Sequence, residues 1–129
     1  MINQIQKFSK NAIAIELFES FTAEDARQIE QLFEEKLSQG YEHINILIQV
    51  KDLSILKHMD LKGFFQDELW GIKHFNKIGR CAVVSHSRIM ESVVKIESKV
   101  LHFLNSALEE RYFDVAQINE ALSFINPDD

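Results

Sequence analysis

Residues 44–50 read Ile44-Asn45-Ile46-Leu47-Ile48-Gln49-Val50. Ile44, Ile46, Ile48 and Val50 alternate, which puts them on one face of an extended strand. Leu47 adds an apolar side chain to the other face. A strand that is apolar on both sides suits the centre of a sheet covered by other elements on both faces.

Upstream, Gly40 sits where a left-handed residue would end a helix. Ala26, Ile29, Leu32, Phe33 and Leu37 recur at helical spacing before it. Thr22-Ala23-Glu24-Asp25 forms a capping-box pattern at the start of that helix, with Phe21 placed as a hydrophobic staple. Further upstream, Ile2 to Phe8 reads as a short strand and Ser9-Lys10-Asn11 as a turn. Ala12 to Phe18 follows with Ile13, Ile15 and Leu17 at period two. These two stretches predict an N-terminal hairpin.

Downstream of Val50, Lys51 to His58 reads as loop, and Asp60 is placed to cap a helix running to about Phe75. Ile78 to Ser85 carries the apolar run Cys81-Ala82-Val83-Val84 and predicts a second buried strand. Ser87 can cap a long helix with Ile89, Val93, Ile96, Val100 and Leu104 on one face. Glu110 to Phe113 reads as a short edge strand. Asp114 then caps a last helix with Ile118, Ala121, Leu122 and Ile125 as its apolar stripe. Strands separated by helices imply parallel neighbours joined by right-handed crossovers, and the opening hairpin makes the sheet mixed. The class is α/β: one domain over residues 1–129, with a mixed four- to five-strand sheet and about four helices packed on it.

The stretch Trp70-Gly71-Ile72-Lys73-His74-Phe75 leads into Lys77-Ile78-Gly79-Arg80-Cys81-Ala82-Val83-Val84. Glu110-Arg111-Tyr112-Phe113-Asp114 and Glu120-Ala121-Leu122-Ser123-Phe124-Ile125 follow later in the chain. In order and spacing these segments resemble the SpoIIAA-like branch of the STAS domain families over nearly the whole chain. The resemblance implies a STAS-like fold. The better-known relatives in that group are bacterial anti-anti-sigma factors, switched by phosphorylation of a serine in a Met-Asp-Ser-Ser-Gly motif. Here the corresponding residues are Met59-Asp60-Leu61-Lys62-Gly63, and both serines are replaced. Leu61 has no hydroxyl, and Lys62 puts a cation in a first helical turn that favours anions. The phospho-switch therefore does not carry over. Some relatives are compared with lipid-transfer domains, which implies a small apolar ligand as one possibility; fold alone does not fix function.

Composition narrows the classes further. With 129 residues, the chain can bury roughly 65–70% of its extended surface without cross-links. A net charge of -6 argues against general nucleic-acid binding. Cys81 is the single cysteine, so there is neither an internal disulfide nor a cysteine metal cage. Residues 1–7 lack the apolar stretch of a signal peptide, and no segment approaches the ~18 apolar residues of a membrane span. The expectation is a cytoplasmic protein with no transmembrane segment and no cofactor.

The segment from Asp60 to Phe75 is the richest in candidates. Leu61, Phe64, Phe65, Ile72 and Phe75 share one helical face, with Glu68 on the same side. Trp70 falls opposite, near Lys62, Gln66 and Lys73. An outward Trp suggests a partner or dimer surface; alternatively Gly71 breaks the helix and Trp70 folds into the core. Phe64, Phe65, Leu69, Trp70 and Lys62 are thus the expected ligand- or partner-binding residues. Glu68 could be a carboxylate with a raised pKa, or it could pair with Lys57 or Arg80.

The five histidines, His43, His58, His74, His86 and His102, include no i, i+4 pair of the kind that holds a helical metal site. Ser85-His86-Ser87 lies between a strand and a helix, where α/β folds bind ligands. Neighbouring residues do not build a nucleophile–base pair reliably, so turn and capping roles are the stronger reading. Arg88, Lys95, Lys99 and His102 form a basic ridge that could meet a membrane surface or an acidic partner, or simply face solvent. The sequence therefore predicts a non-catalytic module that binds itself as a homodimer, a partner protein or a small apolar ligand. The alternative is a small enzyme using Glu68 with His74 or His86.

Overall fold

The computed structural model describes residues 1–18, 22–50, 77–86 and 109–127. These form a five-stranded sheet with strands in sequence order: β1 (Ile2–Lys7), β2 (Ala12–Leu17), β3 (Ile44–Val50), β4 (Ile78–Ser85) and β5 (Glu109–Asp114). β1 and β2 make the expected antiparallel hairpin, and β2 through β5 are parallel. Helix α1 (Ala23–Ser38) joins β2 to β3. A 3-10 turn (Val115–Gln117) and helix α2 (Ile118–Ile125) follow β5.

The period-two patterns sort side chains to the two faces of the sheet. Ile13, Ile15 and Leu17 of β2 join Ile44, Ile46, Ile48 and Val50 of β3 and Cys81 and Val83 of β4. Ile29 and Phe33 of α1 pack against them. The opposite face is built from smaller residues. Ala12, Ala14, Leu47, Ala82 and Val84 pack with Ala121 and Ile125 of α2. Three alanines on the sheet and one on the helix let the two backbones approach closely, because no branched side chain holds them apart. Leu47 is fully buried on this side. The central position of β3 thus follows from apolar side chains on both of its faces.

The capping box forms as the sequence predicts. Thr22 Oγ1 accepts from the Asp25 N–H, and Asp25 Oδ2 accepts from the Thr22 N–H at 2.8 Å. The amino group of Met1 also reaches Asp25 Oδ2 at 2.9 Å. At the far end Gly40 takes a left-handed φ of 96° and donates its N–H to Leu37. That conformation strains any residue with a Cβ. Lys36 in the last turn of α1 donates to the Phe8 carbonyl at 2.6 Å, tying the helix end to the hairpin turn.

The boundary before the C-terminal helix differs from the expectation. Asp114 caps the 3-10 turn, with its side chain accepting from Ala116, and α2 begins only at Ile118. The same capping chemistry serves either helix type, so the sequence signal did not separate them.

Burial by itself would raise the Asp25 carboxyl pKa. Hydrogen bonds from the Met1 amino group and from the backbone and hydroxyl of Thr22, together with the amino group's charge, outweigh burial and hold the pKa below the ordinary aspartate value. A carboxyl lowered on folding contributes stability above its unfolded pKa and loses it as pH falls through the folded one. Urea midpoints of the wild type and Asp25→Asn should therefore differ at neutral pH and converge on acidification through the carboxylate range. A gap independent of pH would contradict this assignment.

Candidate functional site

At the amino-terminal end of the sheet, polar side chains fasten α2 to the strands. Asn45 of β3 donates from Nδ2 to the Ile125 carbonyl at 2.8 Å, and its Oδ1 accepts the Arg80 N–H at 2.9 Å. Arg80 donates from Nη1 to the Phe124 carbonyl at 2.9 Å. The guanidinium groups of Arg80 and Arg111 lie 5.2 and 5.0 Å from the centre of the Phe124 ring. The cationic Arg80 donor at the Phe124 carbonyl complements the negative end of the helix dipole. Gly79 is required for space: a Cβ there would lie 2.8 Å from Asn45 Oδ1 and 3.3 Å from His43 Cβ. This end of the sheet is a structural brace.

At the carboxyl end of β4, Ser85 is 1% exposed and His86 is exposed. Ser85 is the last residue of β4 and is buried, whereas His86 lies past the strand end at the surface. The Ser85 carbonyl accepts from the Tyr112 hydroxyl at 2.9 Å, which fastens β5 to β4.

Between them on the α1 side of the sheet lies Cys81, paired in register with Glu110 of β5. Burial, and then the nearby Glu110 carboxylate, push the Cys81 thiol well above its ordinary pKa. A nucleophilic cysteine needs the opposite shift. Glu110 is itself buried. The strand Glu109-Glu110-Arg111 is charged on both faces, so its sequence holds no signal that Glu110 turns inward.

A third feature runs along the outer strand. Ile2, Asn3 and Gln4 of β1 face Gln28, Gln31, Leu32 and Glu35 of α1 across a shallow groove. A second depression on α1 is lined by Arg27, Glu30, Gln31, Glu34, Glu35 and Ser38. Arg27 is engaged by Glu24 at 2.9 Å.

Of the residues expected to bind, Trp70, Phe64, Phe65, Leu69 and Lys62 lie outside the described residues. So do Glu68, His58, His74, His102, Phe21, the Ala26 side chain, the 59–63 motif and the segment from Ser87 through the basic ridge. Among the described residues, no group of three or more His, Cys, Asp or Glu is placed to hold a metal ion. No described helix is long and apolar enough to cross a membrane.

A mixed sheet ordered β1 to β5, with an opening hairpin and a C-terminal helix packed on it, defines a STAS-like α/β fold. The SpoIIAA-like family model matches residues 12–126, and the chain belongs to that family. Among solved structures it is similar to an uncharacterised protein of the DUF3478 family from Shewanella loihica PV-4, which has a SpoIIAA-like fold. The two share 21% identity over 97% of this chain and 92% of the other, with a TM-score of 0.55. No curated protein matches the chain.

Proposed function

We propose that the protein is a non-catalytic binding or interaction module that engages a partner protein, a second copy of itself or a small apolar ligand. The observation that carries this reading is how the described polar groups are used. Asn45, Arg80, Tyr112 and Asp25 are each committed to holding secondary structure together. The single thiol is buried with its pKa moved away from reactivity, and Ser85 is buried while His86 is exposed. Membership of the SpoIIAA-like family fits such a role, and the loss of both serines at residues 61 and 62 disfavours a phospho-switch.

The binding residues in this reading are Lys62, Phe64, Phe65, Leu69 and Trp70. Symmetric dimers are the commonest small assemblies, and an outward aromatic is a frequent anchor in them. Sedimentation at high micromolar concentration is expected to show a dimer that Trp70→Ala weakens. A monomer at every concentration removes the dimer from the proposal, and a dimer indifferent to Trp70→Ala moves its surface elsewhere.

A further inference from the structure

We propose that the outer edge of β1, with the groove beside α1, is a docking site for an extended peptide of a partner protein. The peptide adds as a short strand and carries an apolar residue two positions from a Lys or Arg. β1 is one edge of the described sheet and β5 the other, and the groove beside α1 runs along β1. The Phe18 N–H donates to the Met1 carbonyl, which makes Met1 and Phe18 a hydrogen-bonded pair. Antiparallel pairs alternate, and the register sets Ile2 opposite Leu17 and Gln4 opposite Ile15. The N–H and C=O groups of Ile2 and Gln4 therefore point away from β2, toward the edge. These are the groups that strand addition uses. The irregularity between Gln4 and Gln6 ends the regular edge there, so the added strand is short.

The groove then selects side chains. A strand added at this edge turns alternate residues toward α1. Ile2 and Leu32 are half-buried and offer apolar contact, and both pack on the α1-side core. Glu35 lines this groove and the neighbouring depression. Arg27, the one cation lining that depression, is held by Glu24. The peptide's partner for Glu35 is therefore a cation. A second copy fits less well, because pairing β1 with β1 would bring two acidic α1 helices together on chains that each carry a net charge of -6.

This inference rests on the reading of the chain as a binding module, and it fails separately from it. The test titrates the full chain against short fluorescent peptides in which Val or Leu precedes Lys by two positions. Matched panels have Glu in place of Lys, or N-methylated backbones. Anisotropy should rise for the Lys panel and stay flat for the other two. Glu35→Lys should weaken binding by about fivefold, the effect of one exposed charge pair. Gln4→Pro should abolish binding while leaving the fold intact, because edge strands accept proline where the N–H faces outward. No binding of the Lys panel up to about 1 mM, the weak end of specific affinity, overturns the proposal. Binding that survives N-methylation overturns it as well. A concentration-dependent dimer that Gln4→Pro dissolves would assign the edge to a second copy instead. None of these outcomes bears on whether the Trp70 segment binds an apolar ligand.

Discussion

Phe33→Ala is expected to destabilise the protein by about 3–5 kcal/mol, the cost of emptying a well-packed aromatic site. Phe33 is fully buried and belongs to the cluster of isoleucines and valines on the α1 side of β2, β3 and β4. The strands beneath it are committed to the ladder on both sides, so they cannot close readily over the void. The loss is a large share of the stability of a domain this size. Urea unfolding followed by circular dichroism measures it directly. Phe33→Leu, which retains most of the apolar volume, should cost clearly less. Equal losses for the two variants would show that Phe33 does not fill the α1–sheet interface as described.

Asn45→Ala is expected to cost about 2–3 kcal/mol. The substitution leaves the Ile125 carbonyl and the Arg80 N–H without their partner, and each orphaned, partly buried group costs about 1–3 kcal/mol. Ile125 is fully buried and Arg80 half-buried, so solvent recovers part of that cost at Arg80 alone. A second substitution separates this bracing role from a general packing defect. Gly79→Ala alone should destabilise, because its methyl group meets Asn45 Oδ1. In the Asn45→Ala background that clash is gone, leaving only the closer approach to His43. The two effects should therefore add to less than their sum. Strict additivity in the double-mutant cycle would contradict the geometry.

The parts of the fold legible in the sequence are those set by local pattern. Strands β3 and β4 occupy the residues that their apolar runs mark, Ile44–Val50 and Ile78–Ser85. Thr22 and Asp25 form the capping box, and Gly40 ends α1 in the left-handed conformation. Each of these signals lies within a few residues of the structure it specifies.

What the sequence hid is long-range. Asn45 reads as one polar residue in an apolar strand, and its hydrogen-bond partner lies 80 residues away on α2. Arg80 enters the sequence reading only as a possible partner for Glu68, and nothing local marks its bond to the Phe124 carbonyl. Gly79 shows no turn signal, because what it supplies is space. The inward turn of Glu110 depends on which face of β5 meets the core, and a strand charged on both faces does not state that. The groove beside β1 joins two elements that look ordinary when read separately.

The proposed binding role of this SpoIIAA-like chain is open to one decisive measurement. Native mass spectrometry of the protein purified from its own host tests that most directly, since it reports assembly state and retained ligand in one spectrum. The expected spectrum shows a mass above that of the bare chain, either as a dimer or as the chain with a partner or an apolar small molecule that collisional activation releases. A bare monomer as the only species, under conditions that preserve known weak complexes, would contradict it.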